Sequence, residues 1–351
     1  MESKMTKYEF GLNTFGDVAI DDKTGESMTY GESLRNLVQE AKLADELGIN
    51  VIALGEHHRD EFSVSSPEIV LAAMAQETNN IRLGTAVTVL SSDDPVRVYE
   101  RFATLDGLSN GRTEIMLGRG SFTESYPLFG YDLENYNELF EEKVALWAEL
   151  LKGERFSWNG TLTQKLTDVE IYPKVDKGHQ IRTTVGVGGT PESIVRAVHY
   201  GFPVMLAIIG GQPIRFKPYV DLYNRAAEQF NQPIEPLGMH SHGVIADTEE
   251  EAMEIGFEYI KKEMDKIGID RGWAPMTRER FEFEVAEGSY YVGTPEVVAQ
   301  KIAKNMKDLG MKRFDLVYGT GGQFQSDREK TIKLYGEVVI PRVKELLGDA
   351  E

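Results

Sequence analysis

No cysteine occurs anywhere in the 351 residues, which excludes disulfide bridges and thiolate-held metals. Long apolar runs are missing too. None approaches the roughly 20 residues of a membrane span, and the first ten residues are charged and form no apolar leader. Positive charge is scarce: 38 Lys and Arg face 57 Asp and Glu, a formal net charge of −19. Such a field opposes association with nucleic acid or an anionic membrane, although a local basic pocket for one phosphate stays compatible with it. A soluble cytoplasmic protein is the expectation. No linker or sharp composition shift marks a boundary, so residues 1–351 read as a single domain. A Gly-x-Gly-x-x-Gly fingerprint after the first strand is also absent, which weighs against a dinucleotide-binding fold.

What is present is an alternation of short apolar runs with helical periods. The pattern predicts strands at Tyr8–Leu12, Val51–Leu54, Ile81–Leu90, Thr113–Leu117, Arg182–Val187, Val204–Ile209, Leu237–Ala246 and Arg313–Tyr318. Helices are predicted between them, the first from Tyr30 to Leu47, where Leu34, Leu37, Val38, Ala41, Ala44 and Leu47 follow the i, i+3, i+4, i+7 rule and Gly48 supplies the stop. Hairpin character around Trp158-Asn159-Gly160-Thr161 and an irregular stretch containing Trp273 interrupt the alternation. Eight strands, nearly all followed by a helix, predict a closed (β/α)8 TIM barrel with insertions.

In such a barrel the C-terminal ends of the strands converge on one face. Strand two delivers Gly55-Glu56-His57-His58, of which alternation sends one histidine inward. An unperturbed imidazole titrates near neutrality and suits proton transfer, though it can equally serve to satisfy loop backbone. A metal is the weaker reading, with His240 and His242 the only other candidate ligands near a strand. Strand three carries the small residues Gly84-Thr85-Ala86, which leave space for a flat ring or simply make a tight barrel layer. Strand four ends in Gly118-Arg119-Gly120, a guanidinium able to approach a phosphate unobstructed, or an ordinary exposed ion-pair arginine. Gly186-Val187-Gly188-Gly189-Thr190-Pro191-Glu192-Ser193 opens a helix with free backbone N–H groups and two hydroxyls, a fit for phosphate. Gly293-Thr294-Pro295-Glu296 repeats part of that motif after the irregular stretch and reads as plain capping. Phe122, Tyr126, Phe129 and Tyr131 lie in the loop after strand four, either walling a pocket or packing on a helix.

Taken in order and spacing, Gly55-Glu56-His57-His58, Leu83-Gly84-Thr85-Ala86-Val87, Asp94-Pro95-Val96-Arg97, Leu105-Asp106-x-Leu108-Ser109-x-Gly111-Arg112 and Gly118-Arg119-Gly120 resemble the bacterial luciferase-like flavin-dependent monooxygenase family. The resemblance implies a (β/α)8 barrel that uses reduced FMN as cosubstrate, or the deazaflavin F420 in some branches. It implies that His57 matches the catalytic histidine, that Ala86-Val87 matches a non-prolyl cis peptide supporting the flavin ring, and that Arg119, Gly189, Thr190 and Ser193 match the phosphate site. It also implies a homodimer through the helices after strands two and three. Two positions depart from the luciferases, which have an acidic residue where Gly189 stands and a reactive cysteine where Gly118 stands.

The functional expectation is a flavin-dependent monooxygenase acting with O₂ on a small organic molecule. No motif for a nicotinamide cofactor is visible, which fits reduction by a separate flavin reductase. The alternatives are an F420-dependent hydride transfer at the same face and a flavin-binding protein without turnover. No metal, nucleic acid or membrane partner is expected.

Overall fold

The computed structural model describes residues 8–120 and 122–349. Its first strand, β1 (Glu9–Thr14), leads into helix α1 (Tyr30–Glu46). That helix begins at a capping box, in which Thr29 Oγ1 accepts from the Glu32 N–H and the Glu32 carboxylate accepts from the Thr29 N–H. Strand β2 (Val51–Leu54) and helix α2 (Pro67–Glu77) follow, then β3 (Arg82–Thr85), β4 (Thr88–Val89) and α3 (Pro95–Ser109). After β5 (Glu114–Gly118) come the short α4 (Ser125–Leu128), α5 (Tyr136–Leu151) and an antiparallel pair, β6 (Phe156–Asn159) with β7 (Lys165–Val169). The second half runs β8 (Arg182–Val187), α6 (Pro191–His199), β9 (Val204–Ala207), α7 (Lys217–Phe230), β10 (Gly238–Ile245), α8 (Glu249–Arg271), α9 (Arg278–Ala286), β11 (Tyr291–Gly293), α10 (Pro295–Leu309), β12 (Arg313–Val317), α11 (Gln325–Leu334) and α12 (Ile340–Leu347).

Nine of these strands form a parallel sheet in the order β3-β2-β1-β12-β10-β9-β8-β5-β4. The two ends meet, because β3 and β4 are consecutive halves of one predicted strand and Leu83 bridges to Thr113 beside β5. The result is the expected (β/α)8 barrel. Its strands are buried on both faces because helices cover the outside and side chains fill the inside. Among the described residues no helix is long and apolar enough to cross a membrane.

Three local departures from the sequence pattern have physical causes. Predicted strand three, Ile81–Leu90, breaks between Thr85 and Thr88, at a cis peptide joining Ala86 to Val87. Its first half pairs with β2 and its second with β5. The irregular stretch holds α9, started by Thr277 accepting from the Arg280 N–H at 3.2 Å, and β11, which pairs with β10. The second Gly-Thr-Pro-Glu motif therefore follows a strand, contrary to expectation, and Thr294 makes no side-chain cap bond. The final helix, which the sequence pattern predicts from Arg328 to Leu347, starts earlier, at Gln325, and carries a π turn at Tyr335–Val339.

The closed end of the barrel is plugged by charge. Arg313 pairs with Glu114 and Asp315, each at 2.7 Å, and Arg82 pairs with Glu9 at 2.7 Å and Glu114 at 3.0 Å. Burial works to raise the Glu114 carboxyl, but Arg313 and Arg82 hold it down at about 2. Gly84 serves this layer, since a Cβ there would sit 2.6 Å from Glu114 Cγ.

A second buried ion pair ties the helical layer to the barrel mouth. Arg328 on α11 meets Glu40 on α1 at 2.7 and 2.9 Å, and Glu40 also accepts from the Tyr318 hydroxyl at 2.7 Å. Glu40→Ala leaves the guanidinium buried and unpaired, and the expected loss is about 3–5 kcal/mol in urea unfolding. The double replacement Glu40→Met with Arg328→Leu is expected to cost much less. A loss below about 1 kcal/mol for the single variant would refute the pairing as a structural tie.

Candidate active site

The open end of the barrel begins with one carboxylate. Glu56, just past the end of β2, accepts from the Val89 N–H at 2.9 Å through Oε2 and meets His58 Nε2 at 3.0 Å through Oε1. It thereby ties the end of β2 to β4, across the cis peptide. The His58 ring sits edge-on to Phe129 at 5.1 Å.

His57, the neighbour, sits in a cage of three aromatic rings. It stacks on Phe62 at 4.4 Å and meets Phe122 at 5.1 Å and Phe15 at 5.5 Å edge-on. His57 as a whole is partly buried, with the cage around its ring. Burial, with His58 and Arg59 acting in the same direction, pushes the imidazole down to about 3. This departs from the expectation of a group titrating near neutrality. A neutral ring offers one N–H donor and one nitrogen lone pair to whatever lies in the mouth.

Two histidines on β10 share that character. His242 packs edge-on to the other side of Phe15 at 6.0 Å, bonds Thr320 Oγ1 through Nδ1 at 3.0 Å, and is pushed down to about 3 by burial. Below it, with its amide oxygen toward His240 Nδ1 at 2.9 Å, Asn13 donates to Leu12 O and Asp315 Oδ2. Burial holds His240 at about 4. Both rings are thus engaged by hydroxyl and amide partners, not by each other. Sequence reasoning had weighed these two only as metal ligands; what it lacked was that inward positions of β10 would meet β1 and β12.

The cis peptide sits on an apolar floor. Ala53, Ala86, Met116 and Met205 cluster there, with Val87 packed against them. Gly118 and Gly186 make room for Val87: a Cβ at Gly118 would lie 2.5 Å from Val87 Cγ2 and one at Gly186 3.1 Å from Val87 Cγ1. That crowding explains why no larger side chain stands at position 118.

The proposed phosphate residues converge although 70 residues separate them in sequence. Arg119 Nη2 lies 3.4 Å from both Thr190 Oγ1 and Ser193 Oγ, while Nη1 donates to Asn137 Oδ1 at 2.7 Å. The guanidinium is held over the Tyr136 ring at 5.0 Å. Thr190 occupies the N-cap position of α6 but makes no side-chain cap bond, and its hydroxyl meets the arginine instead. Gly189 has φ +124°, and its carbonyl accepts from the Tyr219 hydroxyl at 2.7 Å. Any side chain at that position would be strained, an acidic one included. A cation, two hydroxyls and a helix N-terminus form a donor set that fits a phosphate monoester.

The aromatic loop residues all serve this face. Phe122 cages His57, Phe129 meets His58, Tyr126 stacks on Tyr136 at 5.5 Å, and Tyr131 lies over the buried Lys143 ammonium at 3.7 Å. A cavity of about 580 Å³ opens between the phosphate loop and the α8–α9 connection, lined by Gly188, Ile209, Trp273 and Tyr290 among others. A larger cavity of about 1110 Å³ lies at the opposite, N-terminal end beside Glu9, Glu114 and Arg313, where barrels carry stability and not chemistry.

Residues 8–313 match the family described as luciferase-like monooxygenase, and the chain belongs to that family. Among its relatives is the alkanal monooxygenase alpha chain of Photorhabdus luminescens, 26% identical over 63% of this chain and 60% of that one. The match therefore spans less than two thirds of that relative. The oxygenase component of a flavin-dependent trigonelline monooxygenase from Acinetobacter baylyi is 24% identical over 91% of this chain and 92% of its own. Among solved structures, monooxygenase RslO1 from Streptomyces bottropensis superposes with a TM-score of 0.81 at 24% identity, covering 95% of this chain and 99% of that one. The oxygenating constituent of 3,6-diketocamphane monooxygenase from Pseudomonas putida, solved with FMN, gives a TM-score of 0.75 at 18% identity over 96% and 99% of the two chains. An F420-dependent secondary alcohol dehydrogenase gives 0.74 at 16% identity over 96% and 99%. At these identities the structural likenesses speak for the fold.

Three neutral imidazoles have a consequence for pH. An unfolded imidazole takes a proton near 6.5, while His57, His240 and His242 decline theirs until about 3 to 4. The unfolded chain thus binds more protons below 6.5, and stability is expected to fall as the pH falls from there. By NMR, the three rings should keep constant shifts from pH 8 to pH 5. A midpoint between 6 and 7 for any of them would contradict its burial.

Proposed function

We propose that this luciferase-like monooxygenase, folded as one barrel domain, is the oxygenase component of a two-component system. It would use FMN reduced by a separate reductase, together with O₂, on a small organic substrate. When bound, reduced FMN supplies the two electrons by which one oxygen atom of O₂ enters the substrate and the other leaves as water. The observation that carries the reading is the meeting of Arg119, Thr190 and Ser193 beside the Ala86–Val87 floor and the His57 cage.

Under this reading Arg119, Thr190 and Ser193 bind the phosphate at the N-terminus of α6, with Gly189 keeping the loop open. Ala86 and Val87 support one face of the ring system. The rings of Phe15, Phe62 and Phe122 exclude water from His57, so that oxygen transfer outcompetes hydrolytic and wasteful side reactions. The His57 ring, neutral and with no side-chain hydrogen bond among the described residues, is free to give or take a hydrogen bond at the reacting centre and to steer a proton there.

FMN is favoured over F420 by what lies beyond the phosphate. The outer groove there is lined by Glu138, Glu141 and Glu192, with Arg196 the one arginine among its lining residues and that arginine paired to Glu141. A short monophosphate tolerates such a rim, whereas a longer anionic tail would be repelled.

Arg119→Ala is expected to weaken FMN binding about 10- to 100-fold, the worth of a charged hydrogen bond, while riboflavin, which lacks the phosphate, binds as before. Equal effects on both ligands would remove Arg119 from the phosphate. His57→Ala is expected to keep reduced FMN but to lose substrate oxygenation, releasing hydrogen peroxide on exposure to O₂. Full oxygenation in that variant would overturn the role given to His57.

A further inference from the structure

The chain carries 57 acidic residues against 38 basic ones, so most of its surface repels anions. The cavity beside the active site reverses that balance. Arg271 and Arg280 line it, and no Asp or Glu does among the described residues. Arg280 sits in the first turn of α9, and among the described residues its guanidinium has no ion pair or hydrogen-bond partner. It lies close enough to Tyr290 to oppose the upward push that burial and Glu284 exert on that phenol. Arg271, at the end of α8, lies 5.4 Å over the ring of Trp273.

The remaining walls are apolar: Phe216, Met264, Met276, Ile209 and Trp273. At about 580 Å³ the space suits a molecule of one or two rings. It adjoins the chemistry on both sides. Gly188 belongs to the loop that carries Thr190, and Tyr290 meets His242 at 6.4 Å, which in turn meets Phe15 beside His57.

We propose that this cavity is the substrate site and that it selects molecules with a carboxylate on an apolar, ring-sized body, the carboxylate held by Arg280 and Arg271. The planar guanidinium matches a carboxylate through two parallel N–H donors, and Trp273 fixes Arg271 for that contact. Met264 and Met276, unbranched and adaptable, take the apolar body. The proposal rests on the flavin reading for the direction of the reacting face, but the binding preference is measurable without flavin.

Calorimetric titration of the full chain with 4-phenylbutanoate, its primary amide and 4-phenylbutylamine provides the test, with reduced FMN titrated separately so that loss of either function is read apart. The acid is expected to bind at least about 10-fold tighter than the amide, with the amine weakest. Arg280→Gln should abolish the difference between acid and amide, and Arg280→Glu should turn the preference toward the amine. Equal affinity for the three probes, no measurable binding of the acid, or an acid preference that survives both Arg280→Gln and Arg271→Gln would overturn it. Acid preference with no affinity for reduced FMN would instead leave this site standing and refute the flavin reading.

Discussion

The mouth of this barrel depends on the Glu56 carboxylate. One oxygen takes the N–H of Val89 and the other takes His58. Those two bonds hold the end of β2 against β4 on the far side of the cis Ala86–Val87 peptide, and by occupying His58 they leave His57 as the ring that turns into the aromatic cage. The clamp thus joins the strand end that carries His57 to the strand that follows the Ala86–Val87 peptide.

Above and below the clamp the barrel separates charge from neutrality along its axis. The N-terminal end is closed by the Arg313, Glu114, Asp315 and Arg82 network. The middle is apolar, or polar and uncharged, with Ala53, Met116 and Met205 beside a neutral His240. The rim carries cations again, Arg119 on one side and Arg280 on the other. In a chain of net charge −19 such placement concentrates positive charge at the rim, on either side of the His57 cage.

Much of this was legible in the sequence, for reasons that differ by residue. The eight barrel strands followed from period and spacing, since buried parallel strands are short apolar runs between helical patterns. His57 and Arg119 stood out as titratable groups at strand ends, and Thr190 and Ser193 as hydroxyls at a glycine-led helix start. The break in strand three did not show in the periodicity, where Thr85, Ala86, Val87 and Thr88 read as ordinary strand; only the family resemblance pointed to a cis peptide at Ala86–Val87. Helix α9 and strand β11 were hidden within irregular composition, their signals being one capping threonine and three residues paired to β10. Phe15 and Phe62 were missed, and His242 was weighed only as a metal ligand, because their role exists only once different strand ends face one another. Arg280 lay in the stretch read as irregular, where no periodicity assigned it a direction.

The central claim is that this mouth is built for a reduced flavin mononucleotide that meets oxygen. Anaerobic titration of the purified protein with reduced FMN and with reduced F420, each followed by mixing with O₂, tests it most directly. The account predicts tight saturable binding of reduced FMN, weak or no binding of reduced F420, and a transient oxygen-dependent absorbance change on mixing. Preference for F420, or rapid flavin oxidation with no such transient, would contradict it.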